Sequence, residues 1–353
     1  MSNANWIEFL KSQGASINSE ENQLTFPEHA TQADKPRLTP LLDQALLQLQ
    51  GVDTNTFLQG QLSCDLTLLS TEKSLLGSNC TPKGNVISAF RLIRQTEEQV
   101  LLRLPKSISL QAQANLNKYI VFSKADLTDV SDDYVGLGLQ GAQAEALIRE
   151  LFSVESTAVD EQCLVEQLMI IRVPGTIARF ELWMPASQAI DTYSQLAAKT
   201  QPASTDAWLL GEIQAGLVQL DAESVDNYLP QMLNLQAVDG VSFSKGCYTG
   251  QEVITRLQYR GKLKKLLARG SVGSDLQPIP GMALHSPKRK SVGKVLASAP
   301  VYAADGSIQG YELQAVISKN AMDDNQLRLD SQEGPAVELL ALPYDIDPEL
   351  FER

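Results

Sequence analysis

Two stretches of this chain follow the same local order. Apolar runs at 86–93 and 100–104 lead into Pro105-Lys106-Ser107 and a helical pattern reaching Tyr119. Runs near 164–173 and 179–184 lead into Pro185-Ala186-Ser187 and a helical pattern reaching Lys199. Strand, strand, helix twice over, with a strand at 134–140 and a helix at 142–152 between them, predicts a layered α+β fold. The spacing puts each proline at the first position of its helix, where a missing N–H costs nothing. A dinucleotide-type parallel sheet is disfavoured, because no GxGxxG or Walker loop follows any of these strands.

At 353 residues the chain exceeds what one hydrophobic core supports, so two or three domains are expected. Residues 1–36 read as an N-terminal extension: a short helix-like segment, Trp6–Leu10, and then polar sequence. The globular pattern begins near Arg37. Ala45, Leu47 and Leu49 alternate, Asp53 suits the N-cap of a short helix through Phe57 and Leu58, and the turn Pro82-Lys83-Gly84 separates two strands. Beyond Gly261 the texture changes to short strand-like runs at 263–272, 291–298, 309–317 and 336–342, split by turn residues, as in a small β-barrel or sandwich. The expected division is 37–260, a C-terminal barrel at 261–345, and a tail at 346–353. No apolar run approaches the roughly 18 residues of a membrane span, and the opening residues lack a basic-then-apolar signal, so a cytoplasmic location is expected.

Chemistry concentrates at 245–252, Lys-Gly-Cys-Tyr-Thr-Gly-Gln-Glu. Thr249-Gly250-Gln251-Glu252 has the form of a capping box. The helix it opens would run through Val253, Ile254 and Leu257 to a stop at Gly261. Cys247 then sits just ahead of a helix N-terminus and two residues from Lys245, and both the dipole and a nearby cation favour thiolate over thiol. A lone cysteine is also often a small buried hydrophobe. Both readings stand at this point. The other cysteines, Cys64, Cys80 and Cys163, are scattered without a CxxC pair, and the only histidines are His29 and His285, which excludes an ordinary zinc cluster and gives a disulfide framework little support.

The net charge of −13 argues against non-specific nucleic-acid binding, yet residues 245–294 hold eleven Lys/Arg against only Glu252 and Asp275. This band, including Arg256, Arg260, Lys262 and Lys288-Arg289-Lys290, is either a solvated face or an attractor of an anionic ligand.

At the octet the chain resembles the YgfZ branch of the glycine-cleavage T-protein-like family, whose signature Lys-Gly-Cys-Tyr-x-Gly-Gln-Glu stands intact at 245–252. The resemblance continues through Leu229-Pro230-Gln231, Asn234-Leu235-Gln236, Gly240-Val241-Ser242-Phe243, Trp208, Ala215-Gly216 with Asp221, Lys118-Tyr119 and Leu58-Gln59-Gly60-Gln61. It covers about residues 38–345. It implies three domains in a ring, with ferredoxin-like ββα units, a C-terminal small β-barrel, and tetrahydrofolate or a derivative as ligand. It further implies a role in iron–sulfur cluster assembly or repair, and through it in tRNA methylthiolation, with iron–sulfur proteins or their assembly factors as partners. The acidic balance argues against dedicated tRNA binding.

By position, the resemblance makes Cys247 the working thiol with Lys245 beside it, supported by Gly246, Tyr248, Gly250, Gln251 and Glu252. It makes Trp208 a folate-associated tryptophan, whose indole face suits a flat pterin. Taken alone, Trp208 with Leu209 and Ile213 reads as one core-facing helix side. A second folate-associated tryptophan of the family falls at Gln44, and a glutamate of many relatives falls at Gln214. The stretch Gly84–Ile93 lacks the acidic residue of methylene-transferring T-proteins, which argues against the usual aminomethyl transfer. An active tetrahydrofolate-dependent one-carbon transferase and a non-catalytic scaffold or folate sensor remain the alternatives, as does the choice between one-carbon unit, sulfur and cluster as what Cys247 handles.

Overall fold

The computed structural model describes residues 3–27, 35–155, 158–303 and 305–352. The chain forms two compact units, each assembled from separated segments: Met1–Asn55, Thr67–Leu75 and Arg91–Trp208 in the first, Thr56–Leu66, Leu76–Phe90 and Leu209–Arg353 in the second.

The first unit is layered. A six-stranded sheet runs in the order Gln162–Val165, Leu168–Val173, Arg179–Pro185, Tyr134–Gln140, Arg37–Pro40, Gln201–Pro202, antiparallel except for the last pair. Alternate residues leave opposite faces of such a sheet. Ile170, Phe180 and Leu182 pack with Ala144, Ile148 and Leu196 of the helices Ala144–Phe152 and Ala189–Ala197. Met169, Ile171 and Trp183 point the other way, toward Leu46, Ile93 and Leu101. These last belong to antiparallel strands in which Gln99–Pro105 pairs on one side with Gln44–Gln50 and on the other with the run from Arg91. Both faces are therefore covered, and the strand Leu168-Met-Ile-Ile-Arg-Val173 is accordingly apolar almost throughout.

Two expectations need correction here. Neither proline takes the first position of an α-helix, although Pro105 caps a short 3-10 turn, Lys106–Ile108, that runs into one. Pro105 and Pro185 close strands, paired with Gln44 and Tyr134, and the helices start at Ser109 and Ala189. An extended strand end accepts proline's fixed φ as readily as a helix start does. Nor does the N-terminal segment stand apart. In the helix Asn3–Ser12 Trp6 and Leu10 are buried in the helix-side core with Leu24, whose N–H donates to Thr205 Oγ1 at 3.0 Å.

The second unit holds a closed barrel. Its strands run in the order Lys265–Val272, Ile308–Ser318, Arg289–Tyr302, Ala283–Ser286, Leu327–Leu329, Ala336–Leu340, and the last pairs back on the first through Arg269 and Leu340. Ala283–Ser286 and Leu327–Leu329, too short to show a pattern in sequence, are what allow closure. Val272, Leu284, Val295, Leu313, Ile317 and Val337 fill the interior. The barrel strands all lie within 261–345, the stretch expected for them, and packing continues on either side of it. Leu263, Leu266 and Leu350 form one buried cluster with Met232 and Leu257 against it, and Leu263 N–H donates to Leu350 O at 2.7 Å. Among the described residues no helix is long and apolar enough to cross a membrane.

Candidate functional site: an exposed thiol between buried anchors

The octet lies wholly in the second unit, stitched to the end of the helix Thr54–Gln61. Lys245 is buried, and its Nζ donates to the carbonyl oxygens of Gln59, Leu62 and Cys64 at 2.7, 2.8 and 2.7 Å. Carbonyls at a helix end lack intrahelical partners and carry partial negative charge, so an ammonium satisfies both needs. It has three donors and all three are taken, so none is left for the thiol. Burial pulls Lys245 down to about 8, while the charges of Cys64 and Asp65 pull the other way.

The neighbouring backbone continues the seam. Ser63 Oγ donates to Gly240 O at 2.6 Å, Ser242 N–H to Ser63 O at 2.8 Å, and Thr249 N–H to Gly60 O at 3.2 Å. Tyr248 is buried, with Nζ of Lys245 5.1 Å from its ring centroid. Gly246 and Cys247 are exposed, and a Cβ at Gly246 would meet nothing within 4 Å. The order in, out, out, in therefore carries the thiol to the surface between two fixed points.

The helix Gln251–Arg260 does follow and does stop at Gly261, but the capping box is absent. Its N-cap is Gly250 at φ +86, with no side-chain cap, and the Thr249 hydroxyl instead donates to Gln61 Oε1 at 3.4 Å. Gly250 lies against the hairpin turn, where a Cβ would be 2.6 Å from Thr81 O and 3.0 Å from Gly84 Cα. Only glycine fits both that φ and that contact. Gln251 and Glu252 form the helix's first turn.

Cys64 and Cys80 are buried, and burial pushes both thiols up to about 12, which makes them inert as nucleophiles. Cys247 is the exposed cysteine. Among the described residues no group of three His, Cys, Asp or Glu is placed to hold a metal ion; His29 lies outside them. In the basic band Arg269 is paired with Glu312 at 2.8 Å, whereas Arg256, Arg260, Lys262 and Lys288-Arg289-Lys290 are exposed. Gln214, at the relatives' glutamate position, donates its amide to the same Glu312 at 3.0 Å.

The first unit places Trp208 differently from expectation. The indole is 2% exposed, packed with Trp183, Leu46 and Met169. The Arg179 guanidinium carbon lies 4.0 Å from a ring centroid, and a Cβ on Gly138 would fall 2.4 Å from a ring carbon, so the backbone there lies against the indole. With so little of the ring accessible, no indole face is open to a pterin. The indole is packed in this core cluster, whereas Leu209 and Ile213, expected on the same helix face, belong to a different one with Ala297 and Ala299. Gln44, at the other folate position, sits at a strand end with its Oε1 accepting from Arg103 at 3.2 Å and its Nε2 donating to Asp43 at 2.8 Å. Arg103 pairs with Glu181, which also accepts from Trp183 Nε1 at 2.9 Å. Burial opposes the charge on Glu181, but Arg103 and Arg91 outweigh it and hold the carboxyl below its ordinary range. Gln44 also lines a cavity of about 220 Å³ with Leu41, Leu46, Tyr134 and Trp183.

Residues 41–238 match the GCVT N-terminal domain. A relative named tRNA-modifying protein YgfZ, from Photobacterium profundum, is 33% identical over 340 residues, covering 93% of this chain and 98% of its own. The chain belongs to the YgfZ family. A YgfZ from Yersinia enterocolitica is 32% identical over 316 residues, covering 88% and 92%. The fold is shared more widely than the YgfZ sequences. The crystal structure of glycine cleavage system aminomethyltransferase T from Bartonella henselae matches with a TM-score of 0.75 at 16% identity, over 95% of this chain and 96% of that one.

Proposed function

We propose that the chain is a folate-binding protein supporting iron–sulfur cluster assembly or repair, and through it tRNA modification, with Cys247 as its working thiol. The observation that carries this is the presentation of Cys247: an exposed sulfur fixed between the three-carbonyl anchor of Lys245 and the buried ring of Tyr248. A loop serving only to cross the surface has no use for a buried ammonium two residues from its tip. The printed name of the YgfZ relatives, tRNA-modifying protein, supports the cellular role. Lys245 acts here as a positioning residue. Tetrahydrofolate enters the proposal through the GcvT-like fold; Trp208 does not fit as its platform, and no step is routed through the ligand. Aminomethyl transfer by the usual route is not part of the proposal, since Gly84–Ile93 offers no carboxylate.

The test is complementation of a deletion strain. Cys247→Ser is expected to lose complementation with an unchanged melting temperature; full complementation refutes the thiol role. For the ligand, tetrahydrofolate titration is expected to quench tryptophan fluorescence in the wild type and equally in Trp208→Phe. No quenching in either removes folate from the proposal, and quenching lost only in Trp208→Phe restores the indole as the platform.

A further inference from the structure

A second cavity, about 230 Å³, opens in the second unit against the barrel and has no part in the thiol site. Its barrel side is set by register. On the strand Ile308–Ser318, Leu313, Ala315 and Ile317 point into the barrel core, so Val316 and Ser318 point outward. Lys265 pairs with Ser318 on one neighbouring strand and Lys294 with Val316 on the other, and cross-strand partners share a face. Both lysines therefore stand on the outer face, two strands apart and offset by two residues, with backbones about 12 Å from each other. The opposite side is the segment 221–228, which contributes Asp221, Glu223 and Tyr228.

Two lysines and two acidic residues thus line one space, yet none of the four makes an ion pair with any described residue. The Asp221 carboxylate accepts the Ser224 N–H at 2.9 Å, which holds it in place without neutralising it. Gly281, at φ +82, has a Glu223 carboxylate oxygen 2.4 Å from where a Cβ would stand, so the Glu223 side chain lies over the glycine.

We propose that this cavity binds a small zwitterion of the amino-acid class. A simple anion would satisfy the lysines but face Asp221 and Glu223, and a simple cation would meet the reverse conflict. A molecule carrying a carboxylate and an ammonium a few ångströms apart matches both signs at once. The volume, below the roughly 300 Å³ at which pockets for larger ligands begin, suffices for a molecule about the size of one amino acid.

Calorimetric titration of the full chain with glycine, L-serine and β-alanine tests this, with acetate and methylammonium as single-charge controls. At least one amino acid is expected to bind saturably with a Kd of about 1 mM or tighter, and each control at least about tenfold more weakly. Glu223→Gln and Lys294→Met, both at exposed positions, are each expected to weaken binding about tenfold with an unchanged melting temperature, while Cys247→Ser leaves it intact. Absence of saturable binding, equal binding of acetate, or unaltered affinity in both variants would overturn the proposal.

Discussion

The segments carrying Cys247 and Trp208 solve opposite packing problems. Around Cys247 the anchors are polar and buried while the working group is exposed: an ammonium gripped by three carbonyls lies two residues from a sulfur in solvent. Around Trp208 the large group is itself buried, under a guanidinium and against a glycine backbone. The first arrangement fixes a loop through satisfied polar contacts; the second fills a core. Residues that a family pattern sets side by side can thus differ in kind, and burial tells them apart.

Substitution should separate the two. Trp208→Ala is expected to cost about 3–5 kcal/mol, as for other buried tryptophans, read as a fall in urea midpoint, with Cys247 labelling kinetics unchanged. A variant of near-wild-type stability would mean that the indole is not a core element. Lys245→Met removes the donors of three carbonyls and should cost about 2–4 kcal/mol while also altering the rate at which Cys247 reacts with a thiol reagent. Unaltered labelling would show that the loop keeps its shape without its anchor.

Alkaline unfolding probes the sulfurs behind the octet. Cys64 and Cys80 are held at about 12 in the folded state, above the ordinary thiol value near 8.5. Their contribution is present in full below about pH 8.5 and is lost as pH rises toward 12. By pH 10 the loss should reach about 2 kcal/mol per thiol. Lys245, held at about 8 and below its ordinary value, works in the opposite direction over the same window. The thiol contribution is therefore read as the difference between the wild type and the Cys64→Ala/Cys80→Ala double variant, whose stability relative to wild type should rise between pH 8 and 10 in denaturant titrations. The smallest effect concerns Thr249→Ala. A true N-cap would cost about 1 kcal/mol, but with Gly250 as cap the loss should stay under about 0.5 kcal/mol in thermal melts.

Much of this was legible from sequence. The paired strand–strand–helix order, the hairpin at Gly84, the helix after the octet and the all-β C-terminal region all leave patterns of period two or 3.6. The octet marked Cys247 as a candidate thiol but left open whether it is buried or exposed. What escaped depends on partners distant in the chain. Thr249 and Glu252 satisfy the spacing of a capping box, yet the approach of Thr81 and Gly84 pushes Gly250 into a left-handed conformation and hands it the cap. Trp6 and Leu10 look peripheral until the helices at 144–152 and 189–197 supply a surface for them. Lys245 gave no sign that its neighbours would be carbonyls near residue 60.

That grip has a consequence for the order of folding. The three acceptors of Lys245 lie 186, 183 and 181 positions earlier in the chain. During synthesis the segment 56–66 must wait, unpartnered by the octet, while nearly two hundred further residues emerge. Contacts of such separation form late and slow the approach to the native state. A fragment beginning at Leu209 would contain the barrel, the helix and the thiol, but none of the carbonyls that fasten Lys245. Truncation from the N-terminus is thus expected to disarm the thiol loop without removing one atom of the octet.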